Sequence, residues 1–182
     1  MKNKALVLFL SIFSLISFIS LIALTSQKLF APPNFQASVF FSPSGQIQSQ
    51  IIKAIDGSKD AIDIALYELT SSEISKSLES ARDRGVKIRI VADKLQASDK
   101  NTLIPSLTKK GFETKLLSGV RIGENTGSMH HKFAIFDHKL LEVGSYNWTY
   151  SAENLNHESA LFITDKKTVE EYQSEFDRLW TL

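Results

Sequence analysis

Beyond residue 36 the chain breaks into short runs whose apolar positions repeat either every second residue or with helical spacing. Residues 37–41 (ASVFF), 61–67 (AIDIALY) and 86–92 (VKIRIVA) follow strand patterns, with successive side chains on opposite faces. Residues 113–117 and 158–164 (ESALFIT) extend this set. Residues 132–137 and 140–143 predict neighbouring strands around a tight His138-Lys139 turn. Helical spacing links Ile47, Ile51, Ile52 and Ile55, then Ile74, Leu78 and Ala81, then residues 104–110. A final amphipathic helix over 168–179 places Val169, Tyr172, Phe176 and Leu179 on one face. Thr70 to Glu73 has the pattern of a capping box, and Gly85 and Gly111 are helix stops. Strands alternating with helices, closed by a late hairpin, predict an α/β fold: a mixed sheet flanked by helices.

The N-terminus has a different pattern. Residues 5–24 (ALVLFLSIFSLISFISLIAL) contain no charge, Pro or Gly. As a helix they would span roughly 30 Å, the thickness of a bilayer core. The run is longer than the usual secretory core and lacks a good small-x-small cleavage site, which favours an uncleaved anchor over a cleaved signal. Lys2 and Lys4 outweigh Lys28 on the far flank, so the positive-inside rule places the rest of the chain on the extracytoplasmic side. The expected organisation is an anchor or signal over 1–25, a linker over 26–36 containing Pro32 and Pro33, and one domain over 37–182.

Charge changes the picture only locally. The 182-residue chain has a net charge of +1, and the two lysines of the first segment account for its sign. The remainder is −1, yet residues 108–139 hold six basic side chains against three acidic ones, and all four histidines lie between 130 and 157. A cationic stretch inside a neutral domain suggests a focused anion site rather than a broad polyanion track. With no cysteine, disulfides, zinc-thiolate sites and thiol nucleophiles are excluded. There is no Gly-rich phosphate loop, His-Glu-x-x-His or Gly-x-Ser-x-Gly.

The chemistry concentrates in residues 129–147, MHHKFAIFDHKLLEVGSYN. His130, Lys132, Asp137, Gly144, Ser145 and Asn147 form the pattern H-x-K-x4-D-x6-G-S-x-N. From average residue usage such a match arises by chance at on the order of one in 10⁸ positions. His130 and Lys132 share a face by spacing, as do Ser145 and Asn147. Pairing of the two strands can bring together an imidazole, an ammonium, an amide and a hydroxyl. That set suits a phosphodiester: a nucleophile, a fixed positive charge and neutral donors for the non-bridging oxygens.

The pattern resembles the signature of the phospholipase D superfamily, in particular the small bacterial endonucleases that carry one copy of it (the Nuc-like branch). The resemblance implies a single phospholipase D-like lobe. It implies a catalytic set of His130, Lys132, Asp137 and Glu158, with Lys132, Ser145 and Asn147 holding the substrate phosphate and no metal or cofactor. Asp137 is expected to serve structurally or electrostatically, and Glu158 to orient the histidine. The implied mechanism passes through a phosphohistidine and needs two histidines. A single-copy chain supplies the second through a two-fold homodimer. The expected substrate is nucleic acid, DNA or RNA, with single strands weakly preferred. A phospholipase D or cardiolipin hydrolase acting on membrane phospholipid is the alternative, supported by residues 5–24. His131, His138 and His157 are expected to be peripheral. Tyr146 and Trp148 are either base-stacking residues at the rim or core. Lys109, Lys110 and Arg121 are either guides for a polyanion or ordinary surface charges.

Overall fold

The computed structural model describes residues 36–43 and 46–182. The expected membrane segment 5–24 lies outside the described residues, as does the expected linker apart from Gln36. Among the described residues no helix is long and apolar enough to cross a membrane.

The domain is a three-layer α/β/α arrangement around one eight-stranded mixed sheet. In chain order its elements are β1 (Ala37–Phe41), α1 (Ile47–Gly57), β2 (Ala61–Leu66), α2 (Ser72–Asp83), β3 (Lys87–Asp93), α3 (Ile104–Lys109), β4 (Glu113–Ile122), β5 (Asn125–Ser128), β6 (Lys132–Phe136), β7 (Leu140–Gly144), α4 (Tyr150–Asn154), β8 (Ser159–Ile163) and α5 (Lys166–Thr181). The strand order is β1-β8-β7-β6-β2-β3-β4-β5. Strands β2, β3 and β4 run parallel, and the other pairings are antiparallel.

Alternation along the strands builds two cores. Ile62, Ile64, Ile88, Ile90, Ala134 and Phe136 meet α1 and α2 through Ile47, Ile51, Ile55, Ile74 and Leu78. Ala65, Val91, Phe133, Ile135 and Leu141 meet α5 through Val169, Phe176 and Leu179. Helix α5 is also held by charge. Buried Asp63 accepts two hydrogen bonds from Arg89 at 2.8 and 2.7 Å and one from Gln173 at 2.8 Å. The Arg89 guanidinium lies 4.8 Å from the Phe176 ring centroid, so its charge is both paired and sheltered.

Several expected boundaries move. The cap of α2 is Ser71, not Thr70: its hydroxyl accepts from the Ile74 amide at 3.3 Å. Helix α5 begins at Lys166, two residues earlier than expected, because Asp165 caps the Thr168 amide at 2.9 Å. Strand β4 continues to Ile122 and turns back as β5, a hairpin the sequence pattern does not reveal because it buries nothing. Its backbones cross so closely that a Cβ on Gly119 would lie 2.6 Å from the Gly127 carbonyl carbon. The β6–β7 turn is centred on Asp137 and His138, not on His138 and Lys139. Both have positive φ (51° and 54°), as a two-residue hairpin turn requires, and Asp tolerates that region better than most residues.

Candidate active site

One edge of the sheet collects the chemistry. The C-terminal ends of β2, β3 and β7 and the N-terminal ends of β6 and β8 lie there, because Leu66 pairs with Lys132, Phe133 with Val143 and Gly144 with Ala160. Gly144 permits the β7–β8 approach: a Cβ on it would fall 2.0 Å from the Ser159 carbonyl oxygen.

His130 stands exposed at the mouth of β6, and the Lys132 ammonium is buried beneath it. Lys132 Nζ lies 3.2 Å from His130 Nδ1 and 3.4 Å from Nε2. An ammonium nearly equidistant from both ring nitrogens sits against the ring face, outside the in-plane lone-pair direction of either. The ammonium also donates to the His130 carbonyl at 3.2 Å and lies 5.1 Å from the Tyr67 ring centroid. Burial pushes the Lys132 pKa down, and the negative charge of Glu158 partly opposes that.

Ser145 and Glu158 are joined across β7 and β8. The Ser145 hydroxyl donates to Glu158 Oε2 at 2.5 Å, and Asn156 Nδ2 donates to Oε1 at 3.1 Å. Glu158 therefore orients the serine; the expected hydrogen bond from His130 to Glu158 is not among its contacts within one subunit. Asn147 is half-buried and its Oδ1 has no hydrogen-bond partner. The segment carrying it is pinned to the loop after β2, where the Thr70 and Ser71 amides both donate to the Trp148 carbonyl at 2.9 Å.

Asp137 stands at the other end of β6, roughly 17 Å beyond Lys132 at strand rise. Its carboxylate accepts from the amides of Lys59, Asp60 and Ala61 at 2.9–3.2 Å. Burial pushes this carboxyl up, but the three amides outweigh it and hold the pKa below the usual range. The motif's aspartate thus closes the hairpin onto β2 and leaves the chemistry to the other end.

The remaining expectations divide. Tyr146 and Trp148 are fully buried, so neither can stack a base at the rim. His131 pairs with Glu175 at 3.2 Å and His138 with Gln173 at 2.8 Å, both on α5. Lys110 pairs with Glu79 at 2.7 Å, and it precedes β4 at the sheet edge opposite His130. Among the described residues no group of three His, Asp or Glu side chains is arranged to hold a metal ion.

Three supporting residues escape sequence reasoning. The Tyr67 ring lies 4.5 Å from the His130 ring, and its hydroxyl accepts from Gln96 Nε2 at 2.9 Å. Buried Asp93 accepts the Gln96 amide at 3.0 Å and the Met129 amide at 2.9 Å. None belongs to a recurring sequence pattern; the only signal is that each lies at or just past the end of a strand feeding this edge. A groove of about 600 Å³ opens from His130 between the β4–β5 hairpin and the end of α5, lined by Ser118, Val120, Met129, His131, Arg178 and Leu182.

Comparison with known proteins gives both sequence relatives and structural neighbours. A family model described as "Cardiolipin synthase, PLD-like domain" matches residues 51–180. A mitochondrial cardiolipin hydrolase of Chlamydomonas reinhardtii is 31% identical over 134 residues, 74% of this chain and 57% of that protein. The chain thus spans a little over half the length of such curated relatives. NucT from Helicobacter pylori superposes with a TM-score of 0.76 at 28% identity, covering 81% of this chain and 97% of that one. Nuc from Salmonella typhimurium, described as a phospholipase D family member, gives 0.71 at 26% identity, covering 81% and 95%.

Proposed function

The chain belongs to the phospholipase D superfamily, in its Nuc-like branch, and on that premise we propose that it is a metal-independent phosphodiesterase, an endonuclease whose site is shared by two subunits. The observation that carries this is the convergence of His130, Lys132, Ser145 and Glu158 on one sheet edge, with a single histidine of the motif per chain.

In the first step a ring nitrogen of His130 attacks phosphorus and the bond to the leaving oxygen breaks. That oxygen takes a proton from the partner subunit's His130. In the second step the same imidazole removes a proton from water, the water oxygen attacks phosphorus, and the bond to His130 breaks. Lys132 and Asn147 hold the non-bridging oxygens, whose charge grows in both transition states. The Ser145 hydroxyl gives its proton to Glu158, so it can donate to a non-bridging oxygen only by turning away from that carboxylate. Nucleic acid, with single strands preferred, is the proposed substrate, because the Nuc-like neighbours match over nearly their whole length. We place the domain on the extracytoplasmic side, anchored through residues 5–24.

A lipid substrate is the second reading, favoured by the similarity to mitochondrial cardiolipin hydrolases. The purified full chain should be assayed on single-stranded DNA, duplex DNA, RNA and cardiolipin vesicles, with and without EDTA. We expect nucleic-acid cleavage that survives EDTA and disappears in His130→Ala. Headgroup release without nucleic-acid cleavage would select the lipid reading, and activity retained by His130→Ala would dismiss both.

A further inference from the structure

We propose that Tyr67, braced by Gln96 and Asp93, is the positioning residue that sets His130 and Lys132 for the reaction; the proposal rests on His130 being the nucleophile.

Tyr67 follows β2 directly, and its backbone amide donates to the His131 carbonyl at 2.9 Å. Its backbone is therefore fixed to the chain that carries the nucleophile. Its ring then lies 4.5 Å from the His130 ring, centroid to centroid, at an interplanar angle of 53°. The same ring lies 5.1 Å from the Lys132 ammonium. One aromatic side chain thus touches both groups: it limits the rotation of an exposed imidazole and covers part of a buried ammonium, giving it a cation–π contact in place of water.

The ring is itself anchored. Gln96 Nε2 donates to the Tyr67 hydroxyl at 2.9 Å. Gln96 is placed by Asp93, whose Oδ1 accepts the Leu95 and Gln96 amides at 3.0 Å each. The other oxygen of Asp93 accepts the Met129 amide, the residue just before His130. The brace therefore closes on itself: one carboxylate fixes both the residue that holds Tyr67 and the chain that carries His130. His130 has no hydrogen-bonded carboxylate within its own subunit among the contacts described above. The Tyr67 ring takes over the orienting task expected of Glu158, by contact instead of by hydrogen bond. Small displacements of a nucleophile cost up to about 100-fold in rate.

The test compares Tyr67→Leu, Tyr67→Phe and Gln96→Leu in the full chain. Tyr67→Leu should lower kcat by about 10–100-fold with KM changed less than about threefold. Tyr67→Phe should recover most of the rate because it keeps the ring, and Gln96→Leu should fall between. A second readout needs no turnover. With histidines labelled at the ring carbons, the His130 resonance, assigned by its loss in His130→Ala, should lose its aromatic ring-current displacement in Tyr67→Leu and keep it in Tyr67→Phe. Equal kinetics and an unmoved resonance in Tyr67→Leu would overturn the proposal. So would a rate loss in Tyr67→Phe as large as in Tyr67→Leu. If the wild-type chain cleaves none of the substrates, the phosphodiesterase assignment falls, and the imidazole resonance decides the placement of Tyr67.

Discussion

Glu142 is an ionisable group in an unusual place. It lies in the middle of β7, fully buried, and neither carboxylate oxygen has a hydrogen-bond partner. Desolvation pushes its pKa up to about 8; the nearby Trp148 indole acts in the opposite direction without reaching hydrogen-bonding geometry. At neutral pH the folded chain therefore holds a proton here that the unfolded chain has released. Stability contributed at this position is present below about pH 4.5 and declines through neutrality until the folded group also ionises near pH 8. The slope for one such proton is about 1.4 kcal/mol per pH unit. Glu142→Gln should remove this dependence, so the variant should gain on the wild type in urea unfolding as pH rises from 6 to 8. Identical pH dependence in the two proteins would show that Glu142 is hydrated and ionised. The sequence spells LLEVG, and nothing in that pattern marks the glutamate as buried. Its burial follows from the register, which places it between Ala134 and Phe162.

The β6–β7 hairpin is the element that carries the motif, and its two ends do different work. His130 and Lys132 sit at the open end and Asp137 at the turn. Replacing Asp137 by Ala removes a carboxylate from three amides and puts a residue that disfavours positive φ at the first turn position. We expect a loss of about 1–3 kcal/mol in denaturant unfolding. Asn, which tolerates that conformation and keeps one acceptor oxygen, should lose less. An Asn variant as damaged as the Ala variant would show that the negative charge, not the turn, is what the position needs. Most elements that could be read from sequence bury a face: β2, β3, β6, β7, β8, α1, α2 and α5 all have periodic apolar positions, whereas β1 was legible from ASVFF although only Phe40 is even half-buried. The β4–β5 extension has no such signal, since Val120 and Ile122 are about 80% exposed. Helix α4 is only five residues long, set by the Thr149 cap. At the site, His130, Lys132 and Ser145 were visible as a spaced pattern and Glu158 through the resemblance that pattern carries, whereas Tyr67, Asp93 and Gln96 support the site from outside the motif.

At the scale of the whole molecule, the proposed mechanism makes a quantitative demand. If each reaction needs a histidine from both subunits, a dimer with one His130→Ala chain is inactive. Wild type freely exchanged with an equal amount of His130→Ala should then show, per total protein, about a quarter of the wild-type specific activity, whereas independent subunits would show about half. Sedimentation of the same mixtures gives the assembly state directly. An active monomer would remove the shared site while leaving the fold and the family untouched.

The order of the strands has a further consequence, in the time taken to make the chain. Strand β1 is the first to emerge, yet its neighbour is β8 at residues 159–163, and β2 must wait for β6 at residues 132–136. Contacts this distant in sequence form late, because a long loop has to close before they give any return. On the ribosome the parallel half, β2 to β4, can begin to gather while the antiparallel half does not yet exist. The working edge needs β6, β7 and β8 together, so a nascent chain carries no site until the last strand of the sheet has been made. On the proposed function, synthesis itself would keep the activity silent during translation.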